Sequence, residues 1–188
     1  MSAEDLVGSL PPVGYFDPLN LSTGRPEGTI KLWRESELKH GRLAMIAALG
    51  FFIGETYEDL PFFNGQISGP AIYQFQMMDD INGHFWEVVL FIIALIEGQN
   101  ILGGWENYKE TAERGTTVTA ELKADYVNGD LGFDPLGLKP ADADAFDLMR
   151  TKELQNGRLA MRGIAGMVAQ ELVSGQKLFD LPIYSGMQ

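Results

Sequence analysis

The feature that most restricts this chain is a repeat. Residues 34–45 read Arg-Glu-Ser-Glu-Leu-Lys-His-Gly-Arg-Leu-Ala-Met, and residues 150–161 read Arg-Thr-Lys-Glu-Leu-Gln-Asn-Gly-Arg-Leu-Ala-Met. Glu37, Leu38, Gly41, Arg42, Leu43, Ala44 and Met45 recur as Glu153, Leu154, Gly157, Arg158, Leu159, Ala160 and Met161. Ahead of each copy stands a second shared string, Phe16-Asp17-Pro18-Leu19 and Phe133-Asp134-Pro135-Leu136. Each half therefore carries a loop, a spacer of nearly equal length and the start of a helix. Self-similarity of this kind marks one structural unit used twice.

Between the copies lies a third apolar segment, about 84–105, that resembles neither. The pattern predicts three helices, at about 30–57, 83–110 and 143–173, within a single domain spanning 1–188. Pro61, Gly65, Gly69 and Pro70 punctuate the first connection, and Gly129, Gly132, Pro135 and Pro140 the second. Asp142 or Asp144 is expected to cap the third helix.

Composition alone leans towards a soluble helical protein. A spanning helix shows about 20 mostly apolar residues. The longest uncharged runs in the candidate helices are Leu43–Gly54, Val88–Ile96 and Gly163–Gln170, and mean hydropathy is near zero. Lys and Arg number 14 against 26 for Asp and Glu, a formal charge of −12, so nucleic acid is not an expected partner. The absence of Cys excludes disulfides and thiolate metal sites. Met1–Leu10 has no basic stretch followed by an apolar run, so no secretory signal is expected there, and no organelle transit peptide is expected either.

The repeated charges change that picture. Glu37 and Arg42 are five residues apart, about 140° around a helix, and so are Glu153 and Arg158. Each pair is poorly placed to neutralise itself. If the two repeat helices cross as a pseudo-symmetric pair, Glu37 meets Arg158 and Glu153 meets Arg42. Paired charges facing a bundle interior are tolerated in membranes. Gly41, Ala44 and Ala48, with Gly157, Ala160 and Ile164 as counterparts and Gly163 beside them, put small residues on the facing sides. Such a stripe suits tight helix packing in lipid, and equally the small core positions of a soluble bundle.

Glu37 and His40 share one helix face, and Glu153 and Asn156 repeat them. Gln170 returns to nearly the same face about 21 Å beyond Asn156. A carboxylate held by Arg, an imidazole and two amides suit a hard cation that already has other ligands, such as the magnesium of a chlorophyll needing one axial donor. A Glu-x-x-His pair is also commonly just a solvated helical pair. A di-iron carboxylate bundle uses Glu-x-x-His from two helices. Here the second copy has Asn156, and only His40 and His84 exist, which leaves that arrangement short of imidazole.

These residues carry a family resemblance. The two strings around Gly41-Arg42 and Gly157-Arg158, the loop Gly132-Phe133-Asp134-Pro135-Leu136-Gly137-Leu138 and the middle Glu97-Gly98 resemble the light-harvesting chlorophyll-protein superfamily over about residues 14–175. Within it, Trp33–Arg42 and Ser68-Gly69-Pro70-Ala71-Ile72 are similar to red-lineage antenna proteins of the fucoxanthin or chlorophyll a/c type, and the stretch near Pro70 to photosystem I antennae. The resemblance implies an all-α membrane protein with three transmembrane helices, the first and third crossed as a pseudo-two-fold pair. It implies chlorophyll a and chlorophyll c with magnesium on Glu37, His40, Glu153, Asn156, Gln170 and Glu97, with His84 a further candidate. It also implies carotenoids, fucoxanthin, diadinoxanthin or a related xanthophyll, near the two Phe-Asp-Pro-Leu loops. Arg42 and Arg158 would make the structural ion pairs.

Some positions depart from that pattern. Arg162 stands where an apolar residue would sit more easily in lipid, so it is expected to snorkel or to meet a pigment's carboxylate or carbonyl. Asn100 follows Glu97 where green-plant relatives carry Arg, and the tail after Pro182 is short for the usual end helix. Gln74, Gln76 and Glu87 are additional candidate ligands. The expected function is an antenna subunit of a plastid thylakoid membrane, multi-pass, serving a photosystem core, photosystem I in the first instance, beside neighbouring antenna subunits and thylakoid lipids. No nucleophile–base pair, phosphate loop or hydrolase motif is present, so an enzyme is not expected. The alternatives are a photoprotective, energy-dissipating member of the same superfamily and a Glu-x-x-His di-metal helical oxidase.

Overall fold

A computed structural model describes residue 4 and residues 6–12, 14–57, 66–81, 83–106 and 121–180. These form four α-helices: α1 (Glu27–Thr56), α2 (Ala71–Ile81), α3 (Phe85–Gly104) and α4 (Ala143–Ser174), with a short 3-10 turn at Leu178–Asp180. Pro61 and Gly65, the expected stretch 107–110 of the middle helix and the tail beyond Pro182 lie outside the described residues.

Helix ends follow local chemistry. Asp142, just ahead of α4, accepts the Ala145 N–H on Oδ2 at 3.0 Å, so it is the N-cap, and Asp144 falls inside the first turn. Gly175 ends the same helix in the left-handed region (φ 66°), its N–H reaching the Glu171 carbonyl at 2.8 Å. The middle helix stops at Gly104 rather than running to about residue 110. Lys123 Nζ donates to the carbonyls of Leu102 (3.3 Å) and Gly103 (2.9 Å), placing a cation on the negative end of α3.

The helix α2 was not expected from the loop-like punctuation around it. Pro70 ends that punctuation and begins the helix, its carbonyl accepting from Tyr73 N at 3.0 Å. Proline suits a helix start, where its missing N–H would have no partner in any case.

Among the described residues only α3 is long and apolar enough to cross a membrane by length and composition, and little of it is buried. The strict uncharged-run test overlooked it because Glu87 and Glu97 interrupt the run.

The chain divides into two compact units, residues 1–41 with 96–157 and residues 42–95 with 158–188. In the first, α1 and α4 come together at Gly41 and Gly157. A Cβ on Gly41 would stand 3.0 Å from Gly157 Cα, and one on Gly157 would stand 3.0 Å from Gly41 Cα. Leu38 and Leu154 are buried in the same unit. Buried Glu35 fixes the segment that leads to the second Phe-Asp-Pro-Leu loop. It accepts from Tyr126 Oη (3.1 Å), Asn128 Nδ2 (3.2 Å) and Gly129 N (2.9 Å), which satisfies a carboxylate with neutral donors.

In the second unit the buried Glu55 and Glu171 hold the start of α2. Glu55 accepts from Ala71 N (3.4 Å) and Leu178 N (2.9 Å), and Glu171 accepts from Ile72 N (2.8 Å). Carboxylates at a helix N-terminus meet both free N–H groups and the positive end of the dipole.

Gly41→Leu is expected to destabilise the fold by about 1–3 kcal/mol through overpacking. Gly50→Ala, where a Cβ meets nothing within 4 Å, should be neutral or stabilising. Thermal melts of the two variants check this, and equal melting temperatures would refute it.

Candidate functional site

The repeat helices present donors outward. His40 is exposed on α1, and its Nδ1 lies 2.7 Å from the Ser36 carbonyl and 3.3 Å from Ser36 Oγ. A carbonyl can only accept, so Nδ1 carries a proton, and in the neutral ring Nε2 keeps its lone pair. This is the usual way a protein fixes the tautomer and orientation of a metal-binding imidazole. Asn156, at the matching place on α4, is exposed too.

Glu37 and Glu153 are half-buried. Arg34 Nη1 lies 3.1 Å from Glu37 Oε2, close enough for an ion pair although not aligned for a hydrogen bond. Arg42 and Arg158 are half-buried, and each is engaged in an interaction. On α3, Glu97 Oε2 accepts from Lys39 Nζ at 2.5 Å. Gln170 is half-buried near the end of α4. His84 precedes α3, highly exposed, with Nδ1 3.7 Å from Glu87 Oε1.

Gln74 is buried, and its Nε2 donates to the carbonyls of Gly54 (3.1 Å) and Gly69 (2.9 Å). Its amide nitrogen is committed to holding backbone. A Cβ on Gly54 would lie 2.5 Å from Gln74 Oε1, so the glycine makes room for it. Gln76 and Arg162 are exposed.

The two Phe-Asp-Pro-Leu loops fold alike. Asp17 accepts from Leu21 N and Ser22 N, both at 3.0 Å. Asp134 accepts from Leu138 N (2.9 Å) and Lys139 N (3.0 Å), the same steps along the chain. Each turn uses a left-handed residue just before the first donor, Asn20 (φ 51°) or Gly137 (φ 63°). The aspartate thus ties off a tight turn with its side chain. The flanking apolar side chains stay outside, with Phe16 73% and Phe133 85% exposed. Beside the second loop a cleft of about 830 Å3 is lined by Ile96, Asn100, Gly104, Tyr126, Leu131 and Phe133. An open apolar cleft with exposed aromatic flanks can take a large apolar ligand.

Three features escaped the sequence reading. Glu55 and Glu171 extend the repeat, since they lie at the same distance beyond Glu37 and Glu153. The residues between the shared string and these glutamates diverge, which hid the match. Glu35 has no repeat counterpart, Thr151 standing in its place, and its partners lie about ninety residues away. The Lys39–Glu97 contact is also long-range and left no local pattern. Among the described residues no three His, Asp or Glu side chains converge on one point, so the di-metal arrangement is not assembled there.

Hydrogen bonds favour the charged form of both loop aspartates. Asp17 is lowered to about 2, chiefly by the Ser22 hydroxyl and then by the N–H groups of Ser22 and Leu21. Asp134 is lowered by the N–H groups of Lys139 and Leu138. A depressed folded-state value means that the Asp17 turn gains stability above its ordinary value of 3.8 and loses it as pH falls through about 2. Carboxyl-carbon NMR should therefore place the Asp17 midpoint near 2, and a midpoint at 3.8 would remove the turn's hydrogen bonds from the account.

The sequence resembles known proteins over most of its length. Residues 2–172 match the family model described as chlorophyll A-B binding protein. The chain is 49% identical over 170 residues to light-harvesting complex stress-related protein 3.2, chloroplastic, of Chlamydomonas reinhardtii, covering 89% of this chain and 62% of that relative. It is 43% identical over 173 residues to a fucoxanthin-chlorophyll a-c binding protein, chloroplastic, of Isochrysis galbana, covering 92% of this chain and 79% of that one. It is 31% identical to chlorophyll a-b binding protein CP24 10B, chloroplastic, of Solanum lycopersicum, over 84% of this chain and 65% of the relative. The chain thus spans a little over three fifths of the length of the stress-related relative.

Proposed function

This chain belongs to the chlorophyll A-B binding protein family, and on that premise we propose that it scaffolds chlorophylls and carotenoids in a plastid thylakoid membrane and passes excitation energy to a photosystem. The light-harvesting family it belongs to binds chlorophyll and does not consist of enzymes. In this reading α1, α3 and α4 span the membrane, with α1 and α4 as the crossed pair. The Gly41–Gly157 approach supports that crossing. Arg42 and Arg158 are proposed as the cations that balance the repeat glutamates.

The observation that carries the proposal is His40. Its Nδ1 proton is spent on the Ser36 carbonyl, which leaves Nε2 of this exposed side chain as the donor nitrogen. That donor fits a magnesium needing one axial ligand. Bound chlorophyll supplies light absorption and an excited state. The chain's own residues hold and orient it: His40 and Asn156 at matching places on the repeat helices, with Glu37, Glu153, Gln170 and Glu97 as oxygen donors and His84 as a further imidazole. Carotenoids are assigned to the exposed apolar surface around the two loops and to the cleft beside Phe133.

Chlorophyll a and c with fucoxanthin or a related xanthophyll are the proposed pigments, supported by similarity to the fucoxanthin-chlorophyll a-c binding protein. The proposed partners are a photosystem core, photosystem I in the first instance, neighbouring antenna subunits and thylakoid lipids.

Pigment chromatography of the isolated protein should find several chlorophylls and carotenoids per chain. His40→Leu and Asn156→Leu should each remove about one chlorophyll. A colourless wild-type protein, or unchanged pigment content in both variants, would defeat the proposal.

The similarity to stress-related light-harvesting proteins favours a second reading of the same scaffold, in which absorbed energy is dissipated as heat. Fluorescence lifetimes of the pigmented protein separate the two. A lifetime of free antenna length at neutral and at acidic pH supports harvesting, and a markedly shortened one in either condition supports dissipation.

A further inference from the structure

The middle helix carries two glutamates and neither lysine nor arginine from Phe85 to Gly104. Any counter-charge for Glu97 must therefore come from elsewhere, and α1 supplies it. Lys39 Nζ stands 2.5 Å from Glu97 Oε2, with side chains 33% and 46% exposed respectively. The other carboxylate oxygen, Oε1, makes no hydrogen bond to a described residue. The neighbouring Gly98 offers no side chain, and a Cβ there would meet nothing within 4 Å.

We infer that Lys39 is a positioning residue for a chlorophyll on Glu97, holding one carboxylate oxygen and turning the other outward as the axial donor. This rests on the reading of Glu97 as a ligand. The physical reason is charge. An anionic ligand in a low-dielectric setting is costly without a cation beside it, and removing the cation from such a pair leaves the carboxylate uncompensated. A hydrogen bond from outside the metal's own ligands also sets which lone pair is presented. Lys39 performs both tasks, and it sits next to His40, so one turn of α1 serves two pigment positions.

A neutral ligand needs no such help, which supplies the test. The full chain is refolded with purified chlorophyll a and a xanthophyll, and chlorophyll per chain is read by chromatography alongside visible circular dichroism. Lys39→Met should lose one chlorophyll with its dichroic band, and Lys39→Arg should retain it. Glu97→Gln should retain it too, and so should the double variant Lys39→Met/Glu97→Gln, because an amide oxygen carries no charge to balance. If Lys39 were only a tie between α1 and α3, the double variant would stay as depleted as Lys39→Met, and that result would overturn the inference. So would a Lys39→Met protein with its full complement while Glu97→Ala loses one chlorophyll. If Glu97→Ala keeps every chlorophyll, the reading of Glu97 as a ligand fails and the inference falls with it. If Lys39→Met does not refold, a depleted Lys39→Gln protein restored by adding Glu97→Gln supports the inference, and an unrestored one overturns it.

Discussion

Two glycines set the distance on which the first unit depends. With Gly41 and Gly157 lacking side chains, the backbones of α1 and α4 approach until a single added carbon would sit 3.0 Å from the opposite Cα. That closeness lets Leu38 and Leu154 be buried, and it lets residues ahead of α1 reach α4. Gln155 donates to the Gly8 carbonyl at 2.8 Å, and a Cβ on Gly8 would run into Leu154. A bulkier residue at either crossing glycine would push the helices apart and take these contacts with it.

Around that contact the fold is organised by carboxylates that accept backbone N–H groups. Asp17 and Asp134 close the two loops, Glu35 anchors the segment at residues 126–129, and Glu55 and Glu171 grip the start of α2. A chain with many acids and few bases has more carboxylates than it can match with cations. It therefore satisfies a share of them with the peptide backbone, whose donors are otherwise free at turns and helix starts.

Much of this was legible because the signals are local. The repeated string named α1, α4 and their close approach, and Asp142 announced its own helix, while the predicted range 83–110 ran past the end of α3 at Gly104. The short helix α2 was hidden, because Gly65, Gly69 and Pro70 read as loop while Pro70 was also the helix start. The site divided the same way. His40 and Asn156 stood out by spacing, yet the hydrogen bond that fixes the His40 tautomer depends on helix geometry, with Ser36 one turn back. Gln74 looked like a free amide until its carbonyl partners at Gly54 and Gly69 were brought to it by folding. Lys39 and Glu97, 58 residues apart, could be joined only in three dimensions.

The apolar surface has a consequence for how such a chain can exist at all. Among the described residues the buried apolar core comprises only Ile30, Leu38, Ala44, Ile67, Met78, Leu122, Leu154 and Leu178. The large side chains of α3, from Val88 to Leu102, and those of the two loops are mostly left outside. A polypeptide with so thin an interior gains much of its cohesion from whatever settles on its flanks, and binding to the folded form alone raises stability with ligand concentration. Its lifetime in a cell is then set by supply: synthesis that outruns whatever covers those flanks yields chains with greasy exteriors and little to hold them, the natural prey of aggregation and proteases.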